Sequence, residues 1–392
     1  MNLNKYMYPP IGGEISQSSV TSDVIKAIRL PLALMVVYIH SFGEPRVIDT
    51  FSIDYLHPSL FDVYNLIRVA ITQVLTHCAV PIFYIISGYL FYQKLSIWNF
   101  EVWKHKMKKR IKTVGLPYIV WITIMIIYTV AMLTAGCLLH DKPWSRIIEW
   151  FSSNGWWHLF WDCHIWNLDR LNLVGLPMPA SAPILIPFWF MRDLIIVLAI
   201  TPMIYWAIKK LKFLFVILLA ASYITGVWIP LSAPCIDAVL FFSIGGYITI
   251  GKIDLVSCMS KFKVISYILS IVLLPFMIFF NGHNTDVGNV IYPFYVFSMC
   301  GAVMNLISEM ERRYSLILFK KYSDTTFFIF AAHTFLLRYV RGVLHLLTGR
   351  VSVFGDIIEY LITPIMTVAI CIVICRIIQK RFPRFATMLG CR

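Results

Sequence analysis

The chain of 392 residues is 59% hydrophobic and only 14% charged, with a mean hydropathy of +0.75. A soluble domain carries nearer a quarter charged residues, so this composition excludes a water-soluble globular protein and implies a polytopic membrane protein. The net charge of +14 does not point to nucleic acid, because no polar domain carries it; the charges lie in short segments between apolar runs, as topology signals do.

Residues 1–23 are polar and lack the charged-then-apolar order of a cleaved signal, so they are expected to be a cytoplasmic N-terminal segment. Ten apolar segments follow, at roughly 24–42, 66–93, 113–138, 184–208, 213–231, 234–250, 264–280, 291–308, 323–346 and 357–377. They predict an all-α membrane bundle of about ten transmembrane helices over residues 24–377, followed by a basic cytoplasmic tail at 378–392. With both termini cytoplasmic, most of the 34 lysines and arginines fall on the inner side, as the positive-inside rule requires of a multi-pass cell (inner) membrane protein. The second segment is long for a bilayer and is expected to begin near the interface. No internal repeat is visible.

The first span carries Arg29 and His40, 11 positions apart. At 100° per residue this is three turns plus about 20°, so the two side chains share one helix face, about 16 Å apart along the axis. A cation and a titratable imidazole inside a span are costly in lipid and call for a purpose. His77 and Pro81 lie in the second span, with Ser87 and Gly88 after the run VPIFYII. The inner segment 94–112 holds Lys104, Lys106, Lys108, Lys109, Arg110 and Lys112. Two outer loops are long. The first, 43–65, contains Glu44, Arg46, Asp49, Asp54, His57 and Asp62. The second, 139–183, contains six tryptophans beside Asp162, His164 and Asp169, which read first as an interfacial belt and second as a sugar-stacking platform. Trp189, Arg192 and Asp193 stand near the outer end of the fourth span, and His333 lies about ten residues into the ninth. Cys78, Cys300, Cys371 and Cys375 sit inside apolar runs. Cys371 and Cys375 share a helix face, but two thiols without a histidine or carboxylate beside them make a poor zinc site, and no metal is expected.

Six stretches in order resemble one family. RLPLALMVVYIH (29–40) resembles the Arg-x10-His signature of the acyltransferase family three integral membrane O-acyltransferases. VPIFYIISGYLFY (80–92), KKRIKTVGLPYIVW (108–121), PFWFMRDLIIVLAITPMIYW (187–206), FFSIGGY (241–247) and TTFFIFAAHTFLL (325–337) are similar to its later blocks. The resemblance runs from about residue 22 to 377. It implies a ten-helix bundle that moves an acyl group, usually acetyl from cytoplasmic acetyl-CoA or else another acyl-CoA, to a hydroxyl of a glycan or lipid-linked acceptor. That is an O-acetyltransferase type of activity, serving polysaccharide modification in a bacterial cell envelope. It also implies that His40 is catalytic and that Arg29 assists. Within the matched blocks, Lys109, Arg110 and Lys112 are expected to meet the phosphates of coenzyme A. Ser87, Gly88, Trp189, Arg192, Asp193 and His333 are expected in the wall of the site or behind it.

The residues themselves are compatible with this. A hydroxyl is a poor nucleophile at neutral pH, and a neutral imidazole is the usual base that activates it. Arg29 has three readings: fixed positive charge for the transition state, a bidentate grip on a donor phosphate, or snorkelling to the inner interface beside Lys26. For His40, His77 and His333 the competing reading is a structural hydrogen bond between helices, and for Ser87 and Gly88 it is close helix packing. For the lysine-rich segment it is topology and attraction to anionic lipid. A transporter or flippase for a lipid-linked saccharide is the alternative function, and it should show paired broken helices in matching halves.

Overall fold

The computed structural model describes residues 17–42, 48–93, 98–168, 176–348 and 352–391. Most of the 1–23 segment, Glu44, Arg46, residues 94–97, Asp169 and Arg392 lie outside the described residues. The described chain is an all-α membrane bundle. An isolated β-bridge joins Leu168 and Ala180.

Helix α1 is Gln17–Ile39. Its 23 residues rise about 35 Å, a membrane thickness. Helix α2, Leu60–Tyr92, is 33 residues long. It starts earlier than expected because Ser59 and Asp62 form a reciprocal capping box there. Within it a π-helical stretch, Val69–Val74, is followed by a 3₁₀ turn, Leu75–Cys78. The Thr76 hydroxyl donates to the Ile71 carbonyl at 2.8 Å, satisfying an acceptor that the irregular ladder releases.

Helix α3, Phe100–Leu139, makes most of the basic inner segment helical and runs on into the third span, where the notion of a basic loop between spans does not hold. Asn99 caps its start by accepting from the Val102 amide, and Glu101 lies in the first turn. Lys108, Lys109 and Arg110 lead into a π turn, Ile111–Gly115, before the apolar run.

Helix α4, Ser145–Asn154, lies in the long loop. Helices α5 (Ile186–Ala199) and α6 (Thr201–Leu211) meet at a 65° bend. Pro202 cannot donate a backbone hydrogen bond, and the Thr201 hydroxyl donates instead to the Leu198 carbonyl at 2.7 Å. Helix α7 is Phe213–Thr225. Helices α8 (Ile236–Ile250) and α9 (Leu255–Lys261) are bent by 108°. Then come α10 (Lys263–Phe279), α11 (Asp286–Tyr314), α12 (Ser323–Thr348) and α13 (Val353–Arg381).

Each of the ten expected apolar segments overlaps a helix or a bent pair, although 213–231 is helical only as far as Thr225. Five described helices are long and apolar enough to cross a membrane, or up to seven if each bent pair is one span. At 13 residues, α7 rises only about 20 Å.

One end of the bundle is tied by charges. Lys320 binds Glu311 at 2.5 Å and reaches Asp23 at 3.6 Å. Arg376 grips both oxygens of Asp324 at 2.7 and 2.9 Å, and Lys263 pairs with Glu309. At the same end, the Thr21 hydroxyl donates to Asp254 at 2.5 Å. The segment after α13 packs against the bundle. A short turn, Pro383–Met388, folds it back, burying Ala386, Leu389 and Cys391, and the Trp121 indole donates to the Leu389 carbonyl at 3.1 Å. Three small or apolar side chains make this burial favourable despite the basic neighbours.

Candidate functional site

A cavity of about 490 Å³ lies toward the opposite end of the bundle, and His40 is in its wall. His40 sits on the turn just beyond α1, its amide donating to the Val37 carbonyl at 3.2 Å. The first span thus ends a few residues before position 42, and His40 projects from a tightened final turn. Polar bonds anchor that turn. The Tyr38 hydroxyl donates to the Leu361 carbonyl at 2.7 Å, and the Thr72 hydroxyl donates to the Tyr38 carbonyl at 3.1 Å. Arg341 donates to the Phe42 carbonyl at 3.0 Å while paired with Glu359 at 2.8 Å.

Three more titratable or hydroxyl side chains face the cavity from other elements: His77 of α2, Asp237 at the start of α8 and Tyr292 near the start of α11. His283 joins them from the loop before α11. Nδ1 of His77 is 3.1 Å from the Tyr292 hydroxyl, and the His77 and His283 rings lie 5.0 Å apart. His77 lies within the 3₁₀ turn Leu75–Cys78 that follows the π stretch of α2, and this change of helical phase sets its direction.

His333 lies behind His40, fully buried, with ring centroids 5.2 Å apart. Trp189, Arg192 and Asp193 also belong to the wall. Arg192 and Asp193 have their polar atoms committed to structure. The guanidinium donates to Asp193 at 2.9 Å, to the Trp161 carbonyl at 2.9 Å, to the Ser181 hydroxyl at 2.8 Å and to the Ser232 carbonyl at 3.1 Å. The second carboxylate oxygen of Asp193 accepts from the Cys235 amide at 2.8 Å. The pair therefore pins three chain segments over the cavity.

The other predicted residues are elsewhere. Arg29 is about 16 Å back along α1 from His40 and is not in the cavity wall. It is half-buried and makes no hydrogen bond or ion pair with a described residue. Ser87 and Gly88 also lie outside the lining. Gly88 faces α8, where an added Cβ would overlap the Phe242 carbonyl, and Gly245 of α8 meets the Ile85 carbonyl in the same way. Lys109 and Lys112 are exposed at the basic end. Arg110 stands over the Phe91 ring at 6.0 Å, and Lys106 donates to the Phe91 carbonyl at 2.6 Å.

The six tryptophans divide. Trp156 and Trp157 are exposed, Trp150 packs against the core, and Trp166 lines the cavity. Backbone bonds between Leu168 and Ala180, at 2.8 and 2.9 Å, join the two arms of this loop. On their far side is a second pocket of about 320 Å³, lined by Asp162, Asn167, Ser181 and Ser232 among others. Cys163 nearby donates to Asn154 at 3.1 Å, and burial pushes its thiol up to about 11, which keeps it protonated. Among the described residues no three His, Cys, Asp or Glu are grouped to hold a metal ion.

Asp237, His283 and Tyr292 were missed from sequence. Each stands at the same end of its predicted span or loop as His40, and that shared level was the available signal. The bends at Ile200 and after Ile250 lie outside the cavity lining. The family model of the acyltransferase domain matches residues 23–376. No curated protein and no solved structure shows a significant match to the chain.

Proposed function

The chain belongs to acyltransferase family 3, and we propose that it is a membrane O-acyltransferase using an acyl-CoA donor from the cytoplasm. The group moved is acetyl, and the acceptor is a hydroxyl of an extracytoplasmic or lipid-linked glycan at the cell (inner) membrane. The observation that carries this reading is His40 in the wall of a cavity that adjoins a polar pocket of carboxylate, amide and hydroxyl groups. Such a pocket suits a sugar; the more apolar cavity suits the acyl group and its thioester.

In the proposed reaction a neutral His40 accepts the proton of the acceptor hydroxyl as its oxygen attacks the thioester carbonyl. Collapse of the tetrahedral intermediate breaks the carbon–sulfur bond, and the departing coenzyme A thiolate takes the proton back from His40, which returns to its neutral form. His77, held at Nδ1 by Tyr292, is in the same wall and is the candidate donor to the developing oxyanion. Arg29, without an acidic partner among the described residues, is suited to a donor phosphate or to charge nearer the basic end. Lys109, Arg110 and Lys112 offer positive charge where the nucleotide end of the donor would enter. A transporter reading would want the bends at Ile200 and after Ile250 to line the cavity, and among the described residues neither does.

The test is His40→Ala in membranes where insertion of the variant is verified. Acceptor-glycan mass spectrometry with acyl-CoA turnover should show transfer reduced about 10²- to 10⁴-fold. Undiminished transfer would remove His40 from the chemistry. Absence of transfer by the native protein, with saccharide movement instead, would overturn the enzymatic reading.

A further inference from the structure

His333 and His40 each lack what the other can supply. Nδ1 of His333 lies 3.1 Å from the Ile329 carbonyl oxygen. A carbonyl only accepts, so in the neutral ring the single proton is on Nδ1 and Nε2 presents a lone pair. That Nε2 is buried and has no hydrogen-bond partner among the described residues. His333 itself is fully buried. His40, for its part, lines the cavity with no side-chain hydrogen bond to a described residue. The two ring centroids are 5.2 Å apart with the planes at 36°, a rotamer adjustment away from an N–H···N bond. Hydrogen bonds of this kind tighten when substrate fills a site.

We propose that His333 is the positioning residue for His40: its Nε2 accepts the His40 N–H, fixes the ring's tautomer and turns the other His40 nitrogen into the cavity. The inference rests on the acyl-transfer reading of His40 and deepens it. The chain of bonds runs from the Ile329 carbonyl through His333 to His40. It carries no net proton, since His333 keeps its own on Nδ1 throughout. The proton of the acceptor hydroxyl goes to His40 alone. This is the base-and-orienter arrangement that nucleophilic sites use, built from an imidazole and a backbone carbonyl instead of a carboxylate. A neutral orienter is suited to an apolar surrounding, where a buried carboxylate would be far more costly.

Three substitutions separate positioning from packing. In His333→Gln the side-chain amide reaches the place of Nε2 and its oxygen can accept there. In His333→Asn the shorter amide reaches only the place of Nδ1, and His333→Leu keeps bulk alone. With full-length protein in detergent, kcat for acyl transfer should stay within about tenfold of native in His333→Gln. It should fall by about 10²-fold in His333→Asn and His333→Leu at unchanged KM. Equal loss in all three, or native kcat in His333→Leu, overturns the proposal. If His333→Leu fails to fold, the Gln and Asn pair decides.

A second readout does not need turnover. In ¹⁵N-histidine-labelled protein the His40 ring signals, identified by their loss in His40→Gln, should show one tautomer. They should show a mixture in His333→Leu. The same mixture in the native protein overturns the positioning role whether or not acyl transfer is found, whereas absence of transfer alone strikes the functional reading.

Discussion

Arg192 and Asp193 are adjacent, charged and almost wholly inaccessible, which is tolerable only because every part of the pair is bonded. The guanidinium reaches backbone carbonyls at 161 and 232 and the hydroxyl at 181, while the carboxylate takes the Cys235 amide. Removing one partner leaves an uncompensated buried charge, at a cost of about 3–5 kcal/mol. Arg192→Leu should therefore lower the thermal midpoint in detergent markedly; a midpoint equal to native would show that the pair is dispensable to the cavity roof. At the same scale, Tyr292→Phe removes only the hydroxyl that meets His77. If that contact orients His77 toward the reacting carbonyl, kcat should fall about tenfold or more while the thermal midpoint changes little. A fall in stability with unchanged kcat would make Tyr292 a packing residue.

Among the helices, α2 and α8 are joined most closely because glycines meet backbone carbonyls on both sides. Gly88 abuts Phe242 and Gly245 abuts Ile85. Small residues let membrane helices approach where no hydrophobic effect separates protein from lipid. A methyl group added at either place must push backbones apart, so Gly88→Ala and Gly245→Ala should each destabilise by about 1–3 kcal/mol. Gly342 on α12 has open space where a Cβ would stand. Gly342→Ala should leave the thermal midpoint unchanged or slightly higher, by the usual gain of about 0.5–1 kcal/mol in a helix interior. Equal effects at all three would mean that helix proximity is not what the glycines serve. The same helix pair places His77, since α2 must stay close to α8 for His77 and Asp237 to face one cavity.

Over the whole molecule, the cluster of basic residues and the cavity lie at opposite ends. Ion pairs of Asp23, Glu311, Lys320, Asp324 and Arg376, with the exposed Lys109 and Lys112, gather at one end, and the cavity and polar pocket lie toward the other. We propose that the basic end is cytoplasmic. Fluorescent-protein fusions after Lys252 and Arg381 should then be bright, and phosphatase fusions after Trp157 active. The reverse pattern would invert the route proposed for donor and acceptor. Replacing Lys109 and Lys112 together by Gln should raise KM for acyl-CoA several-fold and leave kcat nearly unchanged if they hold donor phosphates. An unchanged KM would leave these lysines as topology signals.

The residue sequence by itself determined that the chain is a helical membrane bundle, because apolar run length decides insertion locally, without reference to the rest of the fold. It also singled out His40, since an imidazole in a span is conspicuous against apolar neighbours. The helical state of the basic segment was obscured by its lysines, which propensity tolerates but hydropathy masks; its Asn99 cap was the clue that would have shown it. Asp237, His283 and Tyr292 carried no local signal, because each is unremarkable in its own segment and becomes a wall residue only when α8 and α11 pack beside α1 and α2. Arg29 shows the limit from the other direction. Helical phase alone placed it on the His40 face, but the cavity stops at Val36, since its extent depends on neighbouring helices. Periodicity is written along one strand of sequence, whereas a cavity is the space several helices leave between them, and only their packing decides it.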